Sequence, residues 1–152
     1  MATRKWLGGV TAVAQVSTIV VGGTVAINDT IVITIGYSSI TVTATSTSTS
    51  TTASQVQAAL SASTAPPEFR EVTWTVNSST VTGTAKTAGV PFVVSTTPSA
   101  SVTANVTDTV SATGPNFANV AANWNAATLP TTGDTIVAED DAPSILYGLT
   151  SN

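Results

Sequence analysis

Residues 28–45, NDTIVITIGYSSITVTAT, decide the fold class. In an extended chain Ile31, Ile33, Ile35 and Tyr37 fall on one face and Thr30, Val32 and Thr34 on the other, the two-residue period of a strand with one face buried. A tight reversal over residues 36–39 follows, and then Ile40, Val42 and Ala44 alternate with Thr41, Thr43 and Thr45. Two alternating runs around so short a turn predict a β-hairpin. Asn28-Asp29 in front of it supplies turn chemistry, because short polar side chains bond their own backbone.

Working outward, residues 10–21 predict the first strand, closed by Gly22-Gly23. Arg4-Lys5-Trp6-Leu7 and Ala12-Val13-Ala14 loosely imitate a signal peptide, but Gly8, Gly9 and Thr11 interrupt its apolar region, so the strand reading is preferred. After the hairpin, residues 45–52 are all Ser or Thr and read as a linker. Thr52-Ala53-Ser54-Gln55 fits a capping box, and Ala53, Val56, Ala59 and Leu60 recur at helical spacing. A helix over residues 52–64 is therefore predicted, ended by Pro66-Pro67. Strands follow over residues 71–76 (Val72, Trp74 and Val76 on one face), 80–85, 91–95 and 101–111.

Gly114-Pro115-Asn116 breaks this texture. The expected organisation is an N-terminal arm (1–12), a β-rich module (13–113) and a C-terminal extension (114–152). The fold class is mainly β (α+β): an antiparallel sheet or sandwich with one short helix packed on it, plus irregular terminal extensions. Within the extension, Gly133-Asp134 reads as a turn leading into a strand over residues 135–137.

Charged residues make up 8% of the chain and the net charge is −4. Soluble domains carry about 25%, so a surface this poor in charge predicts cover by other subunits. Arg4, Lys5, Arg70 and Lys86 are the only cations, too few for a face that neutralises phosphates, so no nucleic-acid partner is expected. No stretch reaches the roughly 20 apolar residues of a membrane span, and no membrane partner is expected.

His and Cys are both absent, which removes the commonest general base, metal ligand and nucleophile together. Carboxylate chemistry remains, on Asp29, Glu68, Glu71, Asp108, Asp134, Glu139, Asp140 and Asp141. Most of these acids occupy turn contexts, so no catalytic residue, cofactor or metal is expected and the chain reads as a non-enzyme. Glu139-Asp140-Asp141, the one charge run, could hold a cation at a subunit seam but reads first as a solvated loop. Trp74 alternates in a strand and reads as core. Trp6, Leu7, Phe117, Trp124, Leu146 and Tyr147 lie in the terminal segments and are the interface candidates, since so much apolar surface is unfavourable in water.

Two stretches carry a resemblance. Gly23-Thr24 through Asn28-Asp29-Thr30-Ile31-Val32-Ile33, the Thr-rich strand, the Ala-rich helix and Lys86-Thr87-Ala88-Gly89-Val90-Pro91-Phe92-Val93-Val94 resemble a module recurrent in bacteriophage virion and prophage-encoded surface proteins. Asn28 stands where that module usually has Gly. The stretch Gly114-Pro115-Asn116, Asn123-Trp124-Asn125, Leu129-Pro130 and Gly133-Asp134-Thr135-Ile136-Val137 is similar to a segment that follows the module in phage-like proteins, often before a β-helical region. The resemblance implies a virion structural protein, assembled in the host cytoplasm and without catalytic residues. It points to a capsid decoration or cement protein on the major capsid protein, and next to a tail tube, fibre or adaptor subunit. A cell-surface adhesin or glycan-binding module, with Trp6 or Trp124 as platform, is the alternative of another class and would place the chain outside the cell. Scarce charge on strand edges further predicts a homo-oligomer, with a trimer favoured, in which both terminal segments cover a neighbour or the particle surface.

Overall fold

A computed structural model describes residues 1–139 and 144–145. The protein is mainly β, with three sheets and one long helix among the described residues. In chain order the strands are β1 (Thr3–Lys5), β2 (Val16–Gly23), β3 (Thr30–Ile35), β4 (Ser38–Thr43), β5 (Val72–Asn77), β6 (Thr80–Ala85), β7 (Val94–Pro98), β8 (Val102–Val110) and β9 (Thr135–Val137). Helix α1 spans Thr49–Leu60, and the single turn α2 spans Pro67–Arg70.

The larger sheet runs β5-β6-β2-β8 and the smaller runs β4-β3-β7, both antiparallel throughout. The deciding hairpin forms, with Ile31 opposite Val42 and Ile33 opposite Ile40. Only Gly36 and Tyr37 lie between its strands, and the positive φ of Gly36 (59°) supplies the backbone that a two-residue turn needs. Tyr37 therefore leaves the buried row in which its parity placed it and stands fully exposed at the hairpin tip. Strands β5 and β6 close in the same way around Ser78, whose φ is 53°.

Helix α1 packs on β2, β5 and β6 of the larger sheet and reaches β4 of the smaller. Its stripe is buried as its spacing demands: Ala53, Val56 and Leu60 join Ile33, Ile35 and Val42 in one apolar core, with Ala59 partly covered. The boundaries differ from expectation. Ser48, not Thr52, is the N-cap and accepts a hydrogen bond from the Thr51 amide at 3.4 Å, while Thr52 lies a turn inside and donates its hydroxyl to the Ser48 carbonyl at 3.0 Å. Gln55 does not close a box but donates to the Thr45 hydroxyl. In a tract with a hydroxyl at every position, any member can cap, so the choice falls to packing. Half of the expected linker is thus the first turn of the helix.

Pro67 starts α2 as well as following α1. A proline at the first helical position gives up an amide that would have no helical partner anyway. The single turn buries Phe69, whose carbonyl accepts the Trp74 indole N–H at 3.0 Å. Trp74 is core as expected, and its ring covers Gly83 directly across the β5–β6 pair.

Candidate interaction surface

The terminal segments fold onto each other. Strand β1 pairs in parallel with β9, Thr3 to Lys5 matching Thr135 to Val137, and the Trp6 amide extends the ladder to the Val137 carbonyl at 2.8 Å. Trp6 and Trp124 then meet edge to face with ring centroids 5.0 Å apart.

Asn123-Trp124-Asn125 fastens this unit with consecutive side chains. Asn123, fully buried, accepts the Val10 amide at 3.0 Å and donates to the carbonyls of Gly114 and Phe117 at 2.7 and 3.0 Å. Asn125 accepts the Lys5 amide at 2.9 Å, and Trp124 donates its indole N–H to the Ala118 carbonyl. Two short 3₁₀ turns, Ala121–Asn123 and Asn125–Ala127, present the three side chains. At the outer end Asp134 accepts the amides of Ala2 and Thr131 and the Arg4 Nε–H. These donors, the Ala2 amide foremost, hold its carboxyl far below the usual carboxylate range. The reciprocal bridge between Val13 and Thr113 marks where this unit meets the larger sheet.

The interface expectation for the termini is corrected accordingly. Trp6, Phe117 and Trp124 are 1%, 5% and 2% exposed, buried by their own chain and not held out to a neighbour. Their apolar area was read correctly but assigned to the wrong partner, because a contact between residues so far apart in sequence leaves no local pattern. Leu7 alone of the described candidates stays open, and Leu146 and Tyr147 lie outside the described residues.

The acids are dispersed. Asp29 caps the Ala26 amide, Asp108 accepts from Ser17 and Gln15, and Glu139 pairs with Lys5 at 2.6 Å. Asp140 and Asp141 lie outside the described residues. Among the described residues no three acids gather as a metal site would require.

The surface that stands out is elsewhere. A cleft of about 410 Å³ opens where the end of β3 meets the chain entering β5, with Ile35, Val72, Ala85 and Phe92 among its walls. Glu68 and Glu71 stand at its edge, both exposed, and neither carboxylate has an ion pair or hydrogen bond among the described residues. Val90, Pro91 and Val93 flank it, with Val90 53% and Val93 59% exposed, and Tyr37 follows the lining Gly36.

No protein-family model matches the chain, and no curated protein matches it significantly.

Sequence reasoning passed over this cleft. Pro91-Phe92-Val93-Val94-Ser95 read as strand, whereas β7 begins only at Val94. The Gln15 side chain holds the preceding residues off the sheet, accepting the Phe92 amide at 3.1 Å and donating to its carbonyl at 2.6 Å. The available signal was Pro91, which cannot donate to a ladder and so interrupts a strand there.

Proposed function

We propose that this chain is a non-enzymatic structural subunit of a bacteriophage particle, a capsid decoration or cement protein that meets the major capsid protein and copies of itself. The observation that carries the reading is the surface. Four cations and eight acids serve 152 residues, yet apolar side chains stand open around a cleft of about 410 Å³. An isolated chain in solution gains nothing from such a face, and a subunit buries it. The module resemblance supports the phage assignment, and the antiparallel β architecture accommodates it.

The tail reading shares this support and separates from it by copy number. The glycan-platform reading does not, since the indoles of Trp6 and Trp124 are inside the protein. The case for a trimer rested on arms that cover a neighbour. With the arms closed on their own chain, stoichiometry has to come from the remaining open surface.

Quantitative mass spectrometry of purified particles tests the proposal. A decoration protein is present in numbers that scale with the capsid lattice, and a tail subunit in rings of three or six. Absence from particles overturns both.

A further inference from the structure

One carbonyl joins three parts of the chain. Val13 donates its amide to the Thr113 carbonyl at 2.7 Å, and its own carbonyl accepts the amides of Thr113 at 3.4 Å and Gly89 at 3.0 Å. Asn123 holds the two segments of that bridge just outside it, through the Val10 amide on one and the Gly114 carbonyl on the other. Gly114 lies against both neighbours, since a Cβ there would be 3.3 Å from the Ala12 Cα and 3.6 Å from the Gly89 Cα. The terminal unit and the segment leading to β7 therefore meet at Ala12 and Val13.

That segment, residues 86–93, joins β6 to β7 and runs along the cleft as a strap, contributing Thr87, Val90, Pro91, Phe92 and Val93 to its wall. Its first residue is fixed from the opposite wall, where the Lys86 amide meets the Glu71 carbonyl at 2.9 Å. Beyond that point, among the described residues, its backbone bonds to the rest of the protein go to residues 13–15. Gly89 is bonded to Val13, and Phe92, by both amide and carbonyl, to the Gln15 side chain. Gln15 is buried and anchored in turn, its carbonyl accepting the Ala85 amide and its side chain donating to Ser17 and Asp108. The Phe92 ring also meets Trp74 edge to face, but Val90 and Val93 are more than half exposed, so little apolar burial holds their stretch in place. A stretch of that kind opens well below the free energy of global unfolding.

We propose that the terminal unit is a latch for this strap. Closed, it fixes residues 10–15 and through them the wall of the cleft; open, it frees residues 87–93 and the cleft loses its shape. The cleft is then available to a partner only while the chain's own N-terminal arm is docked. By the reciprocity of linked equilibria, a partner that grips the strap in its present position favours the docked arm. The latch operates whichever partner meets the cleft, and it does not depend on the phage assignment.

Amide exchange followed residue by residue by NMR tests it in the full chain, with the unit opened at two separate places by Asn123→Ala and by Trp6→Ala. Faster exchange at the Leu7 amide reports that the unit is open. Both variants should then speed exchange at Gly89 and Phe92 by at least about tenfold, while Lys86, bonded outside the latch, and the β2–β6 pair keep their natural protection. Unchanged Gly89 and Phe92 in either variant, with Leu7 exchanging faster, overturns the latch. Equal loss at Lys86 also overturns it, because the strap would then be released by a general opening of the chain. Unchanged Leu7 in both variants would show that neither side chain holds the unit closed and would remove the latch with it.

Discussion

Replacing Asn123 by Ala separates the terminal unit from the rest of the protein. The side chain makes three hydrogen bonds to backbone groups, with the Val10 amide and with the carbonyls of Gly114 and Phe117, at a fully buried position. At about 1 kcal/mol net for each bond, Asn123→Ala costs the unit roughly 3 kcal/mol. That corresponds to about a hundredfold more frequent opening. The loss stays local, because the residues that fill the main core, from Ile19 to Ala104, do not include Trp6, Phe117 or Trp124. Hydrogen exchange followed by mass spectrometry should show about a hundredfold faster exchange at the Trp6, Leu7, Val10 and Trp124 amides and unchanged exchange in β2, β6 and α1. Unchanged protection of the termini would refute the hub role of Asn123. Equal loss across the whole chain would refute the independence of the two cores.

Leu60→Ala, at a fully buried position at the C-terminal end of α1, should lower global stability by about 2–5 kcal/mol in urea unfolding with the slope unchanged. Gly83→Val should shift Trp74, since a Cβ there would meet the indole Cζ3 at 2.5 Å. A loss of about 1–3 kcal/mol with an altered near-UV spectrum is expected, and a native spectrum at native stability would contradict the packing. Asp134 contributes through a folded-state pKa below its unfolded one, so its stabilisation is present above the usual carboxylate range and is lost as pH falls below that range through the lowered folded-state value. Acidification should therefore release Ala2 and Thr131 amide protection before the β2–β6 pair opens. Asp134→Asn should abolish that step, and its persistence in the variant would point to another group.

Where bonding partners are close in sequence, the fold was legible. The β3–β4 hairpin and the β5–β6 pair followed from alternation around short polar turns, and the stripe of α1 from its spacing. The helix start was not legible, because Ser48, Thr51 and Thr52 offer the same hydroxyl and only burial of Ala53, Val56 and Leu60 picks the phase. The terminal unit was invisible for a different reason. Trp6 and Trp124 advertise apolar area but not its destination, and the asparagines that join the two segments look in sequence like turn residues. The cleft was hidden by its Val-rich edge, which mimics a strand until Gln15, distant in sequence, is seen to hold Phe92 aside.

The claim that other subunits cover this surface meets its most direct test in sedimentation equilibrium of the intact chain at micromolar concentration, without particles or partner proteins. The account predicts a mass that is a whole multiple of 15.2 kDa and falls toward the single chain only on dilution. A stable species of 15.2 kDa throughout that range would contradict it.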